Sequence, residues 1–278
     1  MQFGRTKIKT DVEKVNRNNV LSVLADALTA HNANRADIDY LHRYFKGDQP
    51  VLAREKEIRP EICNKIVENI ANEIVSFKTG YLLGEPIQYV SRSDYDTSKE
   101  VGELNDIMEL CNKPCVDNDI AEWLYICGVG HRLILPNSDA LISKAVPALS
   151  KGVKPDLGDE SPFSIYCLDP RSSFIVHYSG IGEKPVMGVK YVKKADLDVV
   201  YSIWTDTEYF EIVGNELTGG EKIVKEAPNT IGSIPVIEYT LNNSRQGAFE
   251  IVLPLLDAIN DTQSDRVDGV DQFIQSLM

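Results

Sequence analysis

The amino-acid sequence predicts an α+β protein with a helical first part, a β-rich middle and one long closing helix. Three observations carry this reading. Apolar residues recur at helical spacing up to about residue 130. From His131 onward, short runs rich in Val, Ile and Tyr are separated by turn residues. After "LNNSRQGAF" the helical spacing returns and holds to the end of the sequence.

The polar residues 1–18 read as a flexible N-terminal arm. Residues 19–130 form the helical part. There, Val20, Leu21, Leu24 and Leu28 fit one helix, and Ile38, Leu41, Tyr44 and Phe45 fit a second that ends at Gly47 and Pro50. Pro60 and Glu61 suit the first turn of a third helix, with Ile62, Ile66, Ile70, Ile74 and Phe77 as one stripe and Gly84 and Pro86 as its stop. "IQYVS" alternates like a short strand. "SKEVGELNDIMELC" and "VDNDIAEWLYICGVG" give two more helices.

Residues 131–245 form the β-rich part. Its strands are "HRLILP", "FSIYCLD", "SFIVHYS", "VMGVKYVK", "DVVYSIWT", "EYFEIVG", "KIVKEA" and "IPVIEYT", in a mostly antiparallel meander with a hairpin turn at Asp206 and Thr207. Residues 137–162 read as a loop, punctuated by Pro147, Gly152, Pro155, Gly158 and Pro162. Residues 246–278 are the closing helix.

The 278 residues are 43% apolar, enough for a sizeable core, and carry a net charge of −13. That charge repels free DNA and anionic lipid at long range and argues against a groove-coating DNA binder. Five cysteines at irregular spacing fit reduced thiols in a cytoplasm, and no apolar run approaches the length of a membrane span. There is no G-x-x-x-x-G-K-[ST], G-x-S-x-G or H-E-x-x-H, and "GIGEKP" reads as a turn. Cys111, Cys115 and His131 lack the second close ligand pair of a zinc site. "SDYDTS" and "DLGDESP" lack the ligand ladder of a calcium loop. Arg171, in an Asp-Pro turn, could meet a phosphate, though the turn itself explains it. No cofactor is expected.

The closing helix carries five aspartates, Asp257, Asp261, Asp265, Asp268 and Asp271. With Asp257 at 0° on a helical wheel, the others fall at about 40°, 80°, 20° and 320°. Val252, Leu255, Leu256, Ile259, Val267, Val270, Ile274 and Leu277 fall between about 160° and 280°, on the opposite arc. Gly269 costs about 1 kcal/mol relative to Ala, so this helix depends on packing its apolar face. By itself the acidic arc is an ordinary solvated face. A metal-binding carboxylate cluster, and with it a metal-dependent phosphohydrolase or nuclease, is an alternative. A monomeric interaction module is another.

The order of motifs adds a resemblance. "LHRYFKGDQPVLAR", "NKIVENIANEIVSFKTGYLLGEPIQY", "YICGVGHRLI", "LDPRSSFIVHYSGIGEKPVMGVKY" and "IPVIEYTLNNSRQGAFEIVLPLLDAINDTQSDRVDGVDQF" together resemble the portal proteins of tailed bacteriophages, most closely the SPP1-like, prophage type. The resemblance implies a non-enzymatic structural protein, typically twelve copies in a ring at one capsid vertex, a conduit for DNA packaging and ejection. It implies double-stranded DNA, terminase, major capsid or scaffold and head-completion adaptor proteins as partners, no membrane, and residence in the virion after assembly in the host cytoplasm. Residues 19–245 would be the wing and residues 246–278 the first stem helix. The clip, second stem helix and crown of such proteins are not in this sequence, which is expected to be truncated there. Asp257, Asp261, Asp265 and Asp268 are then expected to face the channel or its water, with Leu255, Ile259, Val270 and Ile274 packing on the wing and neighbouring stems.

Overall fold

A computed structural model describes residues 4–91, 98–137, 161–195, 198–215 and 219–277. The order is β1 (Lys9–Thr10), α1 (Val20–Phe45), α2 (Ile70–Leu83), α3 (Ser98–Leu110), α4 (Lys113–Cys127), β2 (Val129–Pro136), β3 (Phe163–Leu168), β4 (Ser173–Tyr178), β5 (Pro185–Lys193), β6 (Asp198–Trp204), β7 (Glu208–Asn215), β8 (Gly219–Pro228), β9 (Val236–Thr240) and α5 (Leu253–Leu277). Every strand expected after residue 130 is present. With β1 they form a six-stranded sheet, β1-β4-β5-β6-β7-β8, and among themselves a three-stranded sheet, β3-β2-β9. All pairings are antiparallel except β1 with β4. The β6–β7 hairpin turns at Asp206 and Thr207, with Trp204 opposite Tyr209.

Two main cores hold these layers. The first half of α1 lies on the large sheet, through Val23, Leu24 and Ala27 against Phe174, Val176, Val189 and Phe210. The second half packs with α2, α4 and the start of α5, through Leu41, Tyr44, Ala71, Ile126, Phe249, Leu253 and Leu256. Gly128, at φ 80, ends α4; a Cβ there would come within 2.4 Å of the Arg245 backbone, so only glycine lets the 245–247 turn close over the helix end.

Four expectations are corrected. The residues from Gly4 onward are not a free arm: Ile8 and Val15 are buried, β1 pairs with β4, and Arg5 lies in an ion pair with Glu250. Nor is α1 two helices. The polar stretch that reads as a break places His31 and Asn34 on the buried face, where they bond other segments. Asn34 accepts from the Thr6 N–H at 2.9 Å and donates to its carbonyl at 2.7 Å, as a neighbouring strand would. His31 Nε2 lies 3.2 Å from the Tyr191 hydroxyl, and burial lowers its pKa to about 4. The third correction is the start of α2, at Ile70 rather than Pro60. Finally, "IQYVS" forms no strand in its described residues. The expected loop lies mostly outside the described residues, as do most of "SDYDTS" and "DLGDESP".

Candidate functional site

The ten residues missing from α2 explain how α5 is held. Residues 54–69 run along α5 as an irregular strap. The Asn64 N–H donates to Asp268 Oδ1 at 2.7 Å, the Ile66 N–H to Ser264 Oγ at 3.0 Å, and the Glu68 N–H to Asn260 Oδ1 at 2.8 Å. The acceptors stand four residues apart on a helix, about 6 Å. The donors stand two residues apart on a near-extended chain, about 6.6 Å. The two repeats match, so helix side chains satisfy every second strap N–H. Those N–H groups would otherwise need helical carbonyls, which is why the Ile62–Ile66 stripe does not become helix.

The rungs are tied further. Asn64 Nδ2 donates to Asp268 at 2.9 Å and to Asp271 at 2.8 Å. Asn260 Nδ2 reaches Gln49 Oε1 at 2.5 Å, and Gln49 donates to the Tyr44 carbonyl and to Asn69. Lys56 pairs with Asp268, and Arg54 with Asp265, with a longer Arg54–Asp268 contact of 3.5 Å. Burial pushes the Asp268 carboxyl up. The hydrogen bonds from Lys56 and from the Asn64 backbone and side chain outweigh burial and hold it at about 2.

The expected acidic stripe therefore divides. Asp268 is 1% exposed and faces its own strap. Asp257 is half-buried and accepts from the Tyr44 hydroxyl at 2.8 Å; burial first, then this bond, pushes the phenol far above its usual range. Asp265 is exposed but bridged to Arg54. Asp261 is exposed. For Asp268 the expectation of a water-facing residue is corrected, and the cause is the two cations and the Asn64 amide that the strap presents to it.

The apolar arc is also placed differently within the chain. Leu253 and Leu256 are buried, but Leu255 is 60% exposed, Val270 58%, Phe273 65% and Ile274 49%, with Ile259 half-buried. The arc that docks on the body is mainly Asn260, Ser264 and Asp268, and the apolar arc beside it is left open. Sequence reasoning missed Asn260, Ser264, Arg54, Lys56 and Asn64. The signal available was the polar i, i+4, i+8 spacing of residues 260, 264 and 268.

A second open apolar surface runs along α2 and past its end. Phe77 and Tyr81 stack with centroids 6.2 Å apart and are 73% and 86% exposed; Leu82, Ile87 and Val90 follow at 58%, 54% and 83%. Patches of this kind mark contact surfaces.

Two arrangements bear on catalysis. Ser173 Oγ lies 3.0 Å from His131 Nδ1, and His131 Nε2 lies 3.3 Å from Glu238. Ser173 is fully buried and its hydroxyl donates to the Asp169 carbonyl at 2.8 Å, so no substrate carbonyl reaches it. Burial raises the Glu238 carboxyl, but hydrogen bonds from His131 and Arg245 hold it well below the usual range, as in a structural relay. Among the described residues, no group of three or more His, Cys, Asp or Glu side chains is placed to hold a metal, and no helix is long and apolar enough to cross a membrane. Cys111 bonds Ser161 and the Phe163 carbonyl, and Cys115 is exposed.

No curated protein matches the chain. The family model for phage portal protein, SPP1 Gp6-like, matches residues 25–278, from the first turns of α1 through the strap, both sheets and α5. That match spans nearly all of the helical, β-rich and closing-helix organisation described above, and the chain therefore belongs to the SPP1 Gp6-like family of phage portal proteins.

Proposed function

We propose that this portal protein works as one subunit of a ring at the capsid vertex, through which double-stranded DNA passes during packaging and ejection and on which terminase and head-completion proteins dock. The observation that carries the reading is α5, an amphipathic helix held to its own body by a polar arc while its apolar arc stays open. A helix fixed in this way is presented to a neighbour rather than folded onto its own core. Leu255, Ile259, Val270 and Ile274 are the packing face between neighbouring stems. Asp261 and Asp265, on the exposed arc, face the channel or its water. A negative lining favours sliding, because cations there would bind phosphates tightly in a salt-dependent way.

In this reading residues 19–245 are the wing, and α5 is the first stem helix. The function is structural, with no chemistry of its own. Native mass spectrometry of the purified protein tests it: closed rings of about twelve copies are expected, and a strict monomer at high micromolar concentration would overturn the assembly claim.

A further inference from the structure

A cleft of about 330 Å³ opens where α1 crosses the turn before β4 and the outer end of β5. Arg35 and Asp39 enter it from α1, Asp169 and Arg171 from the turn, and Lys190 and Lys193 from β5. Leaving Lys193 aside, three cations, Arg35, Arg171 and Lys190, thus face two carboxylates, on a chain whose net charge is −13. Local charge of that sign, against the balance of the whole molecule, calls for a reason.

The internal pairing is incomplete. Both Asp169 oxygens are taken by Arg171, at 3.0 Å and 3.1 Å from Nε and 2.7 Å from Nη2. Asp39 is shared between Arg171, at 3.5 Å, and Arg43. Lys190 reaches only the Ser172 hydroxyl, and burial lowers its pKa with only partial relief from Asp169. Arg35 has no ion pair among the described residues. Two cations, Lys190 and Arg35, therefore line one concave surface without a carboxylate of their own, while the Ser172 hydroxyl accepts from Lys190 and donates to the Asp169 carbonyl at 3.4 Å.

We propose that this cleft binds a phosphate group. Two uncompensated cations match the two negative charges of a phosphate monoester or inorganic phosphate better than a single carboxylate. Arg171 adds positive charge, though its Nε and Nη2 are held by Asp169 and its Nη1 by His42 at 3.2 Å, and Arg35 supplies a guanidinium from α1 that can donate to the phosphate in its own plane. The volume exceeds a bare phosphate and leaves room for an organic group attached to it. The site lies on the sheet side of the molecule and uses none of the α5 or strap residues, so it is independent of the assembly reading.

Isothermal titration calorimetry of the purified full chain at low ionic strength, with inorganic phosphate and with adenosine 5′-monophosphate, tests this. Saturable binding of at least one is expected. Similar affinity for both indicates the free ion as ligand, and tighter binding of the nucleotide indicates a phosphomonoester. Lys190→Gln and Arg35→Gln should each weaken binding by about tenfold, the value of one charge-assisted contact, while Lys190→Arg retains it. Arg35 is half-exposed on α1 and has no ion pair among the described residues, so Arg35→Gln should keep the wild-type urea midpoint while its binding weakens. No saturable binding to either probe, or binding that both Gln variants leave unchanged, would overturn the proposal.

Discussion

Asp268 accepts the backbone N–H of Asn64 at 2.7 Å across 204 residues of sequence, and with it the last long helix is fastened to the strap that precedes α2. The same carboxylate receives Lys56 and the Asn64 amide. Asp268→Ala should therefore lower stability by about 2–4 kcal/mol, because it strands partly buried cations and an unmade backbone bond. Asp268→Asn should cost less. Asp261→Asn, on the exposed arc, should stay within about 0.5 kcal/mol. Urea unfolding midpoints compare the three.

Burial also lowers the pKa values of His42 and His177, but two groups separate the pH windows most clearly. His31 is held at about 4, below the ordinary histidine value, so the unfolded chain binds the proton first. Its contribution is complete above about pH 6.5 and is lost as pH falls from there toward 4. Asp268, held at about 2, contributes above about pH 4, and that share is lost only as pH falls through 2. Urea midpoints measured from pH 7.5 to 4.5 should fall in the wild type. In His31→Gln the fall should be shallower, whereas Asp268→Asn should leave the slope in this window unchanged.

The first residues should matter for stability. Glu250 is fully buried and accepts from Arg5, from the Gly4 N–H at 2.9 Å and from the Gly247 N–H at 2.9 Å. Removing residues 1–10 leaves that carboxylate without its cation and uncovers the β4 edge. A loss of at least about 3 kcal/mol is expected in thermal or urea unfolding, where a free arm would give none.

The two arcs of α5 should separate stability from assembly. Leu256→Ala removes a buried side chain and should cost about 2–4 kcal/mol. Val270→Asp and Ile274→Asp change exposed positions. They should leave subunit stability within about 0.5 kcal/mol and abolish the higher oligomer in light scattering.

Much of this fold was legible in the sequence, and the exceptions share a cause. Strands such as "VMGVKYVK" and the β6–β7 hairpin follow from residue type and turn chemistry, which are local. Residues 60–69 carry an isoleucine stripe at helical spacing, yet they form a turn and then an irregular strap, because Asn260, Ser264 and Asp268 supply acceptors from far along the chain. His31 and Asn34 look like a helix break until Tyr191 and Thr6 are beside them. At the site, the amphipathic character of α5 was readable from spacing. Which arc meets the body was not, because a ladder of polar bonds rather than apolar burial decides it, and its partners Arg54, Lys56 and Asn64 are unremarkable in sequence.

The most direct test is a cryo-electron microscopy structure of the assembled ring. It should place Leu255, Val270 and Phe273 in van der Waals contact with a neighbouring subunit while Asp268 remains on Asn64 and Lys56 of its own chain. A ring in which Val270 and Phe273 face water and Asp268 lines the channel would contradict this account of α5.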